Sequence, residues 1–101
     1  MRTVPLWVAT DHPAFAGHFP GQPLLPGVSL LAEALDALLD VPAMAALVGP
    51  TPRIVSAKFL VPVRPGARLT IALDAGPRGV RFEVLEGERL AASGQFEAVA
   101  R

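Results

Sequence analysis

The 101-residue chain has no cysteine, so it has no disulfide framework and no thiolate metal site. A cysteine-free chain of this kind is expected in the cytoplasm. Charge is also sparse: 18% of residues are charged and 51% are hydrophobic, more apolar than a typical soluble domain. That excess fits a deeply buried helix or a large subunit interface. No apolar run approaches the roughly 18 residues of a membrane span, and the N-terminus lacks a leader pattern. No basic run suggests nucleic acid. The two histidines, His12 and His18, and the scattered carboxylates show no metal-ligand spacing. Ser29 has no Gly-x-Ser-x-Gly elbow around it, so it is read as serving a helix start rather than as a nucleophile. Internal repeats and low-complexity segments are lacking too.

What is present is unevenly placed. Net charge is zero, yet residues 1–50 carry Arg2 against Asp11, Glu33, Asp36 and Asp40. Residues 51–101 carry eight basic groups against five acidic ones. This asymmetry would steer an acidic partner to the C-terminal half, if it is more than ordinary polar strand faces. The length fits one domain spanning residues 1–101.

Hydrophobic periodicity divides the chain in two. Residues 3–9 read as a short strand, with Pro5 placing it at an edge or a strand start. Residues 10–26 are punctuated by Pro13, Gly17, Pro20, Gly21, Pro23 and Pro26, but interleaved Phe15, Phe19, Leu24 and Leu25 predict an ordered loop. Residues 27–40 predict the one long helix, apolar around most of its circumference. Its polar residues Ser29, Glu33, Asp36 and Asp40 fall within a sector of about 60°, at about 100° per residue. Such a helix is expected to be almost surrounded by protein, which makes a monomer improbable. Residues 43–48 predict a short helical turn.

From residue 53 the period becomes two. Val55, Ala57, Phe59, Val61 and Val63 alternate with Ser56 and Lys58, and three further alternating runs follow. Turns are expected at 64–66, 76–79 and 86–88. The pattern predicts a four-stranded antiparallel meander whose apolar face receives the helix, an α+β domain. Phe59, Phe82 and Phe96 are expected in its core.

The segment from Asp11 to Leu35 concentrates the chemistry. It holds both histidines and four prolines, then opens into the helix. His18-Phe19-Pro20-Gly21, then Pro23, then Pro26-Gly27-Val28 closely resembles the 3-hydroxyacyl-(acyl carrier protein) dehydratases of the hotdog fold. Ala57-Lys58-Phe59 through Pro62-Val63-Arg64-Pro65-Gly66 is similar to a second motif of that family. The resemblance covers nearly the whole chain. It implies an antiparallel sheet wrapped around one long central helix, and a lyase of fatty acid biosynthesis without a metal or other cofactor. The substrate would be a thioester carried on phosphopantetheine, of an acyl carrier protein or of coenzyme A. The resemblance also implies a homodimer or larger homo-oligomer, in which each site takes its histidine and its acid from different subunits.

Under that resemblance His18 matches the catalytic base, a role suited to imidazole because it titrates near working pH. Gly27, with Val28 next to it, matches the helix N-terminus whose backbone N–H polarises the thioester carbonyl. Phe19 and Val28 are expected beside the substrate. The family's acid stands fourteen residues after the histidine, and here that position is Ala32. Alanine donates no proton. Glu33 lies about 100° further round the helix, whereas Asp36 lies on nearly the same face about 6 Å further along. Asp36 is the better substitute by geometry and Glu33 the second. His12 follows Asp11 and precedes Pro13, a combination equally at home in a turn. Lys58 and Arg64 are candidates for meeting an acidic carrier, with plain surface solvation as the alternative. Three functions follow from these residues: a dehydratase with a relocated acid, a non-catalytic thioester- or carrier-binding subunit, and a thioesterase, against which the His-Phe-Pro-Gly motif argues.

Overall fold

The computed structural model describes residues 2–8 and 27–99, position 28 by its backbone alone. Five strands form one antiparallel sheet: β1 (Arg2–Trp7), β2 (Arg53–Phe59), β3 (Arg68–Gly76), β4 (Gly79–Glu86) and β5 (Arg89–Glu97). Two helices accompany them, α1 (Gly27–Leu39) and α2 (Pro42–Val48). The helix predicted over 27–40 and the turn predicted over 43–48 both form, and the strand predicted over 3–9 forms over Arg2–Trp7.

The sheet order is β1-β3-β4-β5-β2, which corrects the expected four-stranded meander. Only β3, β4 and β5 follow one another in space. After β2 the chain crosses to the opposite side of the sheet, because Pro62 and Pro65 remove the N–H groups a tight hairpin would use. The Leu60 N–H still donates to the Ala91 carbonyl at 2.8 Å, prolonging the β2 side of β5. Then the Gly66 N–H donates to the Val8 carbonyl at 2.7 Å, and the Val8 N–H donates to the Ala67 carbonyl at 2.9 Å. The segment is thus sewn to β1 before β3 begins. The two edge strands, β1 and β2, flank the three-stranded centre.

Strand alternation sorts the apolar residues onto one face. Ile71 and Leu73 of β3, Val80, Phe82 and Val84 of β4, and Ala92 and Phe96 of β5 are buried there. Phe82 and Phe96 stack with centroids 5.2 Å apart, an arrangement worth about 0.5–1.5 kcal/mol beyond burial. Leu30, Ala34, Ala37 and Leu38 of α1, with Met44 and Val48 of α2, close the core from above. These residues recur at helical spacing, so one face of α1 is committed to the sheet.

Within this single chain the covering of α1 is one-sided. Ala32 and Leu39 are exposed, and Leu31 and Leu35 are only partly buried. Strand β2 departs further from expectation: every one of its seven residues is exposed. A register shift between Ile54 and Ser56 interrupts the simple alternation read from the sequence. With Val55 at that irregularity, Ile54, Ala57 and Phe59 take the inner positions. Phe59 is therefore half exposed rather than a core residue like Phe82 and Phe96.

Candidate active site

The helix mouth is built by Gly27 and Phe59. Gly27 is the first residue of α1 and is half-buried. The first N–H groups of any helix lack intrahelical acceptors, and their dipoles favour a developing negative charge. No acidic side chain occupies the first turn of α1, so none competes for that potential there. Phe59, at the end of β2, lays its ring against this terminus. A Cβ placed on Gly27 would stand 3.1 Å from two ring carbons of Phe59. The absence of a side chain at 27 thus lets an aromatic ring approach the backbone closely.

Phe59 was not among the residues assigned to the site by sequence, which read it as core. The informative signal was the pairing of two features: a bare glycine opening a helix, and an aromatic residue just before the Pro-Val-x-Pro-Gly crossing. The inner position of Phe59 and the edge position of β2 leave half of the ring exposed.

Along α1 the candidate acids separate. Ala32 is exposed, so the face where a family acid would stand is open. Asp36 is exposed on nearly the same face, about 40° round and about 6 Å along the axis. Glu33 is half-buried and already has an interaction partner. Asp40 follows at the helix end, where its N–H donates to the Asp36 carbonyl at 3.2 Å. Val28 occupies the second helical position. His18, Phe19 and His12 lie outside the described residues, so the structure does not place them relative to Gly27 or Asp36.

An antiparallel sheet carrying a central helix on one face defines a hotdog domain. The ApeI-like family model, described as ApeI dehydratase, matches residues 2–95. The chain belongs to this ApeI-like dehydratase family. It is 37% identical to the 3-hydroxyacyl-(acyl carrier protein) dehydratase FabZ of Aliarcobacter butzleri, over 91% of this chain and 72% of that protein. The corresponding FabZ of Chlamydia trachomatis is 35% identical over 91% of this chain and 67% of its own length. Among solved structures, the dehydratase heterocomplex ApeI:P from Xenorhabdus doucetiae superposes with a TM-score of 0.75 at 27% identity, covering 94% of this chain and 83% of that one. The fluoroacetyl-CoA thioesterase FlK shares the fold, with a TM-score of 0.62 at 18% identity over 96% of this chain and 86% of its own.

No described helix is long and apolar enough to cross a membrane.

Proposed function

We propose that this protein is a dehydratase that eliminates water from a 3-hydroxyacyl thioester to give the trans-2-enoyl thioester. The observation that carries the reading is the helix mouth, with Gly27 bare, the first turn free of acid, and an aromatic wall beside it. Dehydratase relatives at 35–37% identity support the same reaction class. The substrate would arrive on the phosphopantetheine arm of an acyl carrier protein or of coenzyme A.

The His18 imidazole takes a proton from the carbon next to the thioester carbonyl. Negative charge moves onto the carbonyl oxygen, which accepts a hydrogen bond from the backbone N–H at Gly27 or Val28. The bond from carbon 3 to its hydroxyl then breaks. The hydroxyl leaves as water with a proton from Asp36, relayed through one water because Asp36 stands a turn beyond Ala32. Glu33 is the second acid candidate, about 100° round the helix from Ala32.

The protein acts as a homodimer in this reading. The outer edge of β2, with Ile54, Val55 and Phe59 each about half exposed, is paired among the described residues only to β5, and a second copy would cover its other side. His18 of one subunit and Asp36 of the other would then make each site. His18→Ala and Asp36→Asn are each expected to lower turnover of a 3-hydroxyacyl thioester by about 10²–10⁴-fold. Mixing the two inactive variants should restore a substantial fraction, since mixed dimers contain one intact site. No enoyl formation by the unaltered protein, or turnover indifferent to His18→Ala, overturns the enzyme reading.

Gly27→Ala separates chemistry from stability. Alanine favours a helix by up to about 1 kcal/mol over glycine, which offsets crowding against the half-exposed Phe59 ring. Urea unfolding should therefore shift by less than about 1 kcal/mol. Turnover should fall by about 10²-fold, because displacing the polarising N–H by an ångström misaligns the carbonyl. Unchanged turnover would remove Gly27 from the site.

A second reading is favoured by Ala32 and by the likeness to a chain of a dehydratase heterocomplex. In it the chain is a non-catalytic thioester- or carrier-binding subunit that pairs with an acid-bearing one.

A further inference from the structure

The face of the sheet opposite the helices holds a cleft of about 260 Å³ lined by Ser56, Lys58, Arg81, Ser93 and Gly94. Its residues come from three adjacent strands, β2, β5 and β4, whose registers are fixed by ladder hydrogen bonds. Lys58 stands opposite Ser93, and Ser56 and Arg81 both stand opposite Gln95. Two cations and two hydroxyls therefore converge on one shallow depression.

Among the described residues no acid forms an ion pair with either cation: Asp74 pairs across the ladder with Arg81, and Glu83 with Ser93, yet neither carboxylate is bridged to Arg81 or Lys58. Glu97 is taken up by Arg53 at 3.6 Å and by the Gln95 side-chain amide at 3.0 Å. Ammonium, guanidinium and hydroxyl donors around a small open cleft suit a tetrahedral oxyanion, with the guanidinium offering a two-pronged contact.

We infer that this cleft binds a phosphate ester, and that it holds the phosphate of the arm carrying the thioester. The choice of ligand rests on the proposed thioester chemistry; the site itself rests on the Lys58–Arg81–Ser56–Ser93 constellation.

Calorimetric titration of the full chain with 4′-phosphopantetheine and with pantetheine tests it. The phosphorylated compound should bind about tenfold more tightly, the size of one charge-assisted contact set. Lys58→Gln and Arg81→Gln should each erase most of that preference, and Arg68→Gln, on β3 outside the cleft, should leave it intact. Glu83→Gln, which removes a flanking carboxylate, should strengthen it. Equal binding of the two compounds, or a preference that survives both cleft variants, overturns the inference. Comparing coenzyme A with dephospho-coenzyme A assigns the source: an added gain for coenzyme A places its 3′-phosphate in the cleft, and equal affinity leaves the pantetheine phosphate. Binding is read without turnover, so this result stands or falls separately from the dependence of dehydration on His18.

Discussion

Moving one carboxylate back by a helical turn, in the double variant Ala32→Glu/Asp36→Asn, is expected to recover the turnover that Asp36→Asn alone loses. The single variant should fall by about 10²–10⁴-fold, the usual contribution of a positioned acid. Positions 32 and 36 lie on nearly one line of α1, about 40° and about 6 Å apart, and both are exposed in the single chain. A glutamate at 32 would stand where the family's acid stands and reach the leaving hydroxyl directly. A water relay from Asp36 would no longer be needed.

The alternative outcomes are sharp. If Asp36→Asn leaves enoyl formation unchanged, Asp36 is a solvated carboxylate and the relocated acid is wrong. If Asp36→Asn is inactive and the double variant stays inactive, the space above position 32 is not the leaving-group pocket. Stability cannot imitate either result, because both positions are exposed and surface changes of this kind stay within about 0.5 kcal/mol. A rise in rate by Ala32→Glu alone, with Asp36→Asn silent, would fit the second reading of a chain that lost its acid.

The α1 helix was legible in the sequence because breakers bracket it and apolar residues recur at its spacing. Strands β3, β4 and β5 were legible through clean alternation and short Gly-containing turns. The placement of β2 was not. Its alternating pattern is equally compatible with pairing to β3 or to β5, and periodicity carries no information on partner choice. Pro62 and Pro65 were the available clue, since two missing N–H groups argue against a hairpin. The same ambiguity hid the role of Phe59. Three phenylalanines with similar local patterns have different fates, because Phe82 and Phe96 lie on central strands and Phe59 on an edge. In the candidate site, it was the resemblance to the dehydratases, not spacing by itself, that pointed to Gly27 as the helix mouth and to Ala32 as the position of the family's acid. Between Glu33 and Asp36, helix geometry already favoured Asp36, and the structure adds that Glu33 is half-buried and Asp36 exposed.

Gly94→Ala is expected to destabilise the fold by about 3 kcal/mol, at the upper end for an overpacked core position. Gly94 faces inward on β5, opposite Phe82 of β4 and Ala57 of β2. A Cβ there would strike the Ser56 carbonyl oxygen and stand 2.6 Å from the Phe82 ring. The ring has nowhere to go: Phe82 is 1% exposed and stacked on Phe96. The Ser56 carbonyl belongs to β2, which is held by pairing to β5 along one side. The clash is therefore expected to resolve by loosening β2, and the amides of β2 should lose hydrogen-exchange protection before those of β3 and β4. Alanine's entropic advantage over glycine in a strand, about 0.5–1 kcal/mol, offsets only part of the cost. Ser93→Ala, one residue earlier on the outer face, should shift the urea midpoint little. Adding Phe82→Leu to Gly94→Ala should cost less than the sum of the two changes, because the smaller side chain vacates the space the new methyl needs. A midpoint indifferent to Gly94→Ala would mean that β2 does not sit against β5 as described. Phe59, carried at the end of β2, would then lose its fixed position over Gly27. Loosening β2 should accordingly lower turnover as well as stability, tying the packing under one glycine to the helix mouth.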